Sequence, residues 1–147
     1  MGGQTTVPIG LQVTKTSRVL RRALDDALAE SDGSLPMWLV LVSVKWDRPG
    51  AQRELADAVG IEGPTLTHHL NRMESEGLVT RTRDPENRRV HRVELTDAGE
   101  AAFVRLLPIV LAFDARLRDG FTDVEIDVLD RALGRLRANV CPRPPMN

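Results

Sequence analysis

The stretch "AQRELADAVGIEGPTLTHHLNRMESEGLVTR" (51–81) leaves little choice of local fold. Leu55, Ala56 and Val59 share one face of a short helix, and Gly60 follows as a residue able to take the left-handed conformation that closes one. Gly63 and Pro64 open a second helix, where the missing proline N–H costs nothing because first-turn donors are orphans anyway. Along it Leu66, Leu70 and Met73 recur at i, i+4 and i+7 and point inward until Gly77. Thr65, Thr67, His68, Asn71 and Arg72 are left outside. Two short helices joined by a tight glycine-containing turn, the second displaying small hydrogen-bonding side chains, predict a helix-turn-helix.

Directly afterwards "LVTRTR" and "VHRVEL" alternate apolar and polar residues around "DPENRR", which predicts a β-hairpin with a Pro- and Asn-containing turn. A helix-turn-helix followed by such a hairpin is a winged helix. The whole chain carries a formal charge of −1, which is not the usual footprint of a nucleic-acid binder. Phosphate contacts are local, however, so distribution matters more than the total. Between residues 81 and 92 stand Arg81, Arg83, Arg88, Arg89 and Arg92 against Asp84 and Glu86, while acids collect in "LDDALAESD" and "DGFTDVEIDVLD". The charge pattern predicts a probe: a helix filling the major groove beside a hairpin tip whose arginines enter the minor groove.

The flanks read as helices. Val13, Leu20, Leu24 and Leu28 lie at helical spacing between Ile9 and Glu30, and "SDGS" breaks that run. Ser34 with Pro36 signals the next start. "MWLVLVSVKW" has the β-branched content of a strand but the length and all-round apolarity of a buried helix, and helix is the expectation. A long helix from Thr96–Asp97 to about Asp119 carries Phe103, Leu107, Val110, Phe113 and Leu117 on one face. Pro108 inside it should kink it or free a carbonyl. Thr122 and Glu125 form a capping-box pair that opens a last helix expected to bury Leu129, Leu133, Leu136 and Val140. The expected fold is mainly α with a small β-hairpin. A winged helix-turn-helix at 35–96 is flanked by a helical dimerisation region from 9–34 and 97–140, with disordered tails at 1–8 and 141–147. The terminal helices carry more apolar surface than a small winged helix can cover, which points to association.

Several classes are disfavoured. Aromatic residues are scarce and Tyr is absent, so no stacking platform for single strands is expected. "MGGQTTVPIG" has neither the basic region nor the apolar core of a signal peptide. The apolar run "LPMWLVLVSVKW" is well short of the roughly 20 residues that cross a membrane. A soluble, cytoplasmic protein is expected. Cys141 is the lone cysteine, so an internal disulfide is impossible. His68 and His69 point about 100° apart on a helix and cannot comfortably share an ion, so neither metal nor cofactor is expected. No nucleophile–base or paired-carboxylate arrangement stands out, which argues against an enzyme.

The run "LADAVGIEGPTLTHHLNRMESEGLVTRTRDPENRRVHRVELTDAGEAAF" resembles the MarR family of bacterial transcription regulators, most closely its SlyA-type branch. The most specific signals are "PTL", the "L-x-x-M-E-x-x-G-L-V" exit from the second helix, and a wing ending in "V-E-L-T-D-A-G". The resemblance, spanning about Leu11 to Val140, implies a homodimer bound to the half-sites of a near-palindromic duplex. It also implies regulation, most often repression, released by a small aromatic or lipophilic compound. The family's Asp-x-Arg wing places its minor-groove arginine at Arg89 and its bracing acid at Asn87, which brings no charge; Arg88 is expected on phosphate. In the recognition helix the positions that match the family's base- or phosphate-facing ones are Pro64, Thr65, Thr67, His68 and Arg72; His68 stands where the SlyA-type branch favours Arg, and Glu62 where a capping Ser or Thr is common. The implied effector pocket lies between the dimerisation helices and the winged helix, with Lys15, Arg18, Arg22 and Trp38 as candidate lining. The near-neutral charge and His68 leave an alternative open, a winged-helix module that binds protein rather than DNA.

Overall fold

The computed structural model describes residues 6–47, 55–56, 59–61, 63–86 and 91–141. Helix α1 spans Ile9–Ala29, α2 Leu35–Val42 with a π-helical turn at Ser43–Asp47, α3 Gly63–Ser75, α4 Asp97–Arg118 and α5 Asp123–Val140. Strands β1 (Val79–Arg83) and β2 (His91–Leu95) form one antiparallel two-stranded sheet. The chain divides into two compact units, residues 1–111 and 112–147.

In the first unit the expected signals appear as geometry. Ser34 is the N-cap of α2, its hydroxyl accepting from the Met37 N–H at 3.2 Å with Pro36 in the first turn. A second orphan donor there, the Leu35 N–H, is met from α1 by the Asp25 carboxylate at 2.7 Å. The apolar run is helical as expected, but beyond Val42 it widens into the π turn, and Lys45 and Trp46 both come to rest on Phe103. Phe103 is sandwiched, since Trp38 stacks on it at 5.3 Å with the rings 16° apart. Around this cluster the core collects Leu28, Val40, Leu41, Leu66, Leu70 and Leu106, each at 0% exposure.

Of the first helix of the helix-turn-helix, the described residues Leu55 and Val59 are buried, and Gly60 has φ +71° with its N–H on the Ala56 carbonyl. Helix α3 ends in a Schellman motif: Leu78 N–H donates to Met73 O and Gly77 N–H to Glu74 O, with Gly77 at φ +76°. The strands pair Val79 with Leu95 through Arg83 with His91, so Val79 and Val93 face the core. Helix α4 then presses against this exit. A Cβ on Gly99 would fall 2.1 Å from the Leu78 carbonyl oxygen, which is why "T-D-A-G" ends in glycine. The helix is continuous through Pro108, whose lack of an N–H leaves the Val104 carbonyl without its usual donor.

In the second unit Thr122 and Glu125 make the reciprocal capping box, at 3.2 Å and 2.8 Å. The expected burial of the α5 stripe is corrected here. No residue of α5 is buried: Leu129 is 46% and Val140 82% exposed, with Leu133 and Leu136 half-buried. The spacing marks an apolar face correctly, but that face is left largely exposed. Among the described residues no helix is long and apolar enough to cross a membrane.

Candidate nucleic-acid interface

Helix α3 separates its faces as its 3.6-residue period requires. Leu66, Leu70 and Met73 are buried, while Pro64, Thr65, His68, Asn71 and Arg72 are exposed and Thr67 is half-buried. The Thr67 hydroxyl donates to the Gly63 carbonyl at 3.0 Å. Arg72 is held on its own helix by Glu76, Nε to Oε1 at 3.1 Å, with most of its side chain in solvent. That bond uses one of the five guanidinium N–H donors. No acidic side chain stands in the first turn of α3, so the positive end of the helix dipole is not neutralised from within.

Arg81 ties the hairpin to α3. Arg81 lies on the inner face of β1, opposite Val93. Its Nε and Nη2 donate to the two Glu74 carboxylate oxygens at 3.3 and 3.2 Å, and Nη2 also donates to Asn71 Oδ1. Further out, Asp84 accepts from the Glu86 N–H at 2.9 Å and from Arg92 at 3.3 Å, starting the turn. Arg83 and Arg92 are exposed. The minor-groove candidates Arg88 and Arg89, together with Asn87 and Glu62, lie outside the described residues.

Next to the outward row sits His69, half-buried, its ring 5.7 Å from that of His68. Burial lowers its pKa, and the neighbouring His68 and Arg72 lower it further. Near neutral pH the imidazole is therefore held more firmly in its neutral form than a solvated histidine.

A recognition helix with a polar outward row, tied to a basic two-stranded wing, is the geometry of a duplex reader. Residues 34–91 match the family model for MarR. The crystal structure of transcriptional regulator PA3341 is 34% identical over 90% of this chain and 98% of its own, with a TM-score of 0.81. The chain belongs to the MarR family. It is a winged-helix, DNA-binding transcription regulator and not an enzyme. Two other structures share the MarR fold. The transcriptional repressor CouR, bound to a 23-mer DNA duplex, is 26% identical over 91% of this chain and 95% of its own, with a TM-score of 0.80. BpsR of Bordetella bronchiseptica, whose DNA binding is regulated by 6-hydroxynicotinic acid, is 15% identical over 97% of this chain and 100% of its own, with a TM-score of 0.83.

This MarR-family chain has a cavity of about 590 Å³ behind α3. Asp25, Asp32 and Met37 contribute from the α1–α2 side, and His69, Arg72 and Glu76 from α3. None of Lys15, Arg18, Arg22 and Trp38 lines it. The three cations are exposed along α1, and Trp38 is stacked in the core. Sequence reasoning missed the Arg81–Glu74–Asn71 fork. For the fork, the one available signal was that alternation places Arg81 on the strand face of Val79, inward rather than outward.

Proposed function

We propose that this chain is a homodimeric, sequence-specific repressor that binds a near-palindromic operator and releases it when a small aromatic or lipophilic molecule occupies the cavity behind α3. Helix α3 enters the major groove with Pro64, Thr65, Thr67, His68, Asn71 and Arg72. Arg89 of the wing enters the adjacent minor groove, and Arg88 meets phosphate. Residues 35–96 are the DNA-reading domain, and the helices of 9–34 and 97–140 dimerise. The observation that carries this reading is the exposed Thr65–His68–Asn71–Arg72 row standing over a fully buried Leu66–Leu70–Met73 floor. CouR, which shares the fold and was seen on duplex DNA, supports the partner.

Dimerisation is supported by apolar side chains open on the single chain: Ile9, Leu11 and Val19 on α1, and Val124, Val128 and Leu129 on α5. Effector release is supported by the cavity, because its α3 wall includes Arg72 and His69, so an occupant touches the helix that reads DNA. The test is a mobility-shift titration at controlled salt with operator selected from a random duplex pool. Arg89→Ala should weaken binding by about 1–3 kcal/mol if that arginine reads bases. Unchanged affinity refutes its role. A salt slope near zero for wild-type protein on random duplex refutes DNA binding altogether and favours a protein-interaction module, because phosphate contacts release counterions.

A further inference from the structure

We propose that Arg81 is a positioning residue that fixes Asn71 as a hydrogen-bond donor toward DNA, so that at the base Asn71 meets the protein selects guanine rather than adenine. The inference rests on the duplex-reading function proposed above and names one element of its specificity.

The geometry is a three-way fork. Arg81 leaves β1 toward α3 with its side chain only 18% exposed, and it grips Glu74 bidentately through Nε and Nη2 while its backbone N–H donates to the same carboxylate at 3.2 Å. Those bonds alone tie wing to helix. Nη2 makes one contact more, to Asn71 Oδ1, which lies one turn before Glu74 on the same face of α3. A guanidinium has five donors and no acceptor. Asn71 must therefore turn its oxygen to Arg81, since its NH₂ group would oppose another donor. Asn71 is itself exposed in the outward row. With the oxygen turned back toward a cation, the group it offers outward is Nδ2, carrying two N–H donors.

That orientation has a consequence for base recognition. Asparagine reads adenine by accepting from N6 and donating to N7 together, which needs both ends of the amide on the base edge. An amide pinned by its oxygen offers donors alone. Guanine presents two adjacent major-groove acceptors, N7 and O6; thymine presents one, O4, and cytosine a donor. The donor-only amide fits guanine best, fits adenine only through N7, and opposes cytosine.

Selection from a random duplex pool, run with the full-length chain and three variants, tests the assignment. Wild type should select guanine at one position of each half-site, and Asn71→Ala should erase the preference at that position while leaving the others. Arg81→Met frees the amide, and the same position should move toward adenine, by on the order of tenfold in the guanine-to-adenine ratio. An arginine that merely supports the wing would weaken binding at all positions without moving the preference at one. Should Arg81→Met fail to fold, Asn71→Asp decides, because a carboxylate keeps the guanidinium partner but carries no donor: guanine preference should vanish there with the melting temperature unchanged. Adenine at the Asn71-dependent position of wild type, no position responding to Asn71→Ala, a folded Arg81→Met that still selects guanine, or Asn71→Asp that does, each overturns the proposal. Failure of wild type to bind any duplex is a different result, and it removes the DNA-reading function itself.

Discussion

Replacing Gly99 with alanine should destabilise the protein, although alanine is the better helix former. Gly99 is in the first turn of α4, where its missing side chain lets the helix lie against the hairpin exit. An added Cβ would meet the Leu78 carbonyl oxygen at 2.1 Å and the Leu78 carbonyl carbon at 3.1 Å. Ordinary carbon–oxygen contacts lie near 3.3 Å, so about 1 Å must be opened between two backbones. The carbonyl cannot simply rotate away, because it accepts the Thr96 N–H at 3.1 Å. Overpacking of this kind costs about 1–3 kcal/mol, and loosening that hydrogen bond about 1 more. The intrinsic gain of alanine over glycine in a helix offsets about 1 kcal/mol. The net expectation is a loss of about 1–3 kcal/mol, seen as a melting temperature roughly 3–10 °C lower. Gly134→Ala in α5 is the control, since a Cβ there meets nothing nearer than the Arg137 guanidinium at 3.9 Å, and it should stabilise by up to about 1 kcal/mol. Both are measured by thermal melts at one fixed protein concentration, because association makes melting concentration-dependent. A Gly99→Ala protein as stable as wild type would refute the close approach.

His69 titrates lower in the folded chain than its unfolded value of 6.5, so acidification protonates the unfolded state first. Its contribution to stability is complete above the unfolded pKa and declines as pH falls below it; His69→Gln should therefore lose less stability than wild type between pH 7.5 and 5.5 in denaturant titrations. Equal losses would refute the assignment. Wild type should scatter light with a mass near twice 16.3 kDa, and Leu129→Glu should lower it toward one protomer by placing a charge on the apolar face of α5. A mass unmoved by the charge would show that this face is not the interface.

Much of this architecture was legible because its determinants are local and periodic. The burial of Leu66, Leu70 and Met73 follows from spacing, the start of α2 from Ser34 and Pro36, and the start of α5 from Thr122 and Glu125. What escaped depends on contacts between distant parts of the chain. The apolar stripe of α5 and the surplus of apolar surface on the terminal helices could be recognised, but not that Leu129 and Val140, expected to be buried, stay exposed. The widening of α2 into a π turn becomes intelligible only once Phe103, some 60 residues later, is known to receive both Lys45 and Trp46. Asn71 was rightly placed on the outward side of its helix, yet periodicity could not show that its oxygen is already engaged. That requires the inner face of β1 to land across the third turn of α3, a matter of tertiary register.

Three joints fasten the recognition helix to the wing, and together they constrain how any effector can act. The Schellman turn at Gly77 sets the angle at which the chain leaves α3, and the Arg81 fork clamps β1 across Asn71 and Glu74. The third joint is the start of α4, where the Thr96 hydroxyl donates to the Gly77 carbonyl and also accepts the Gly99 N–H at 3.1 Å. To change the angle between α3 and the hairpin, a ligand would have to break several of these contacts at once, at about 1 kcal/mol or more each. The cavity is differently placed. One wall is α3, at His69, Arg72, Met73 and Glu76, and the opposite wall is the end of α1 and the start of α2, from Asp25 to Met37. An occupant would bear on those walls without touching the Arg81 fork or the Thr96 bonds. Control by a ligand there would act first on how α3 sits against α1 and α2, through His69 and Arg72, rather than on the angle between α3 and its wing.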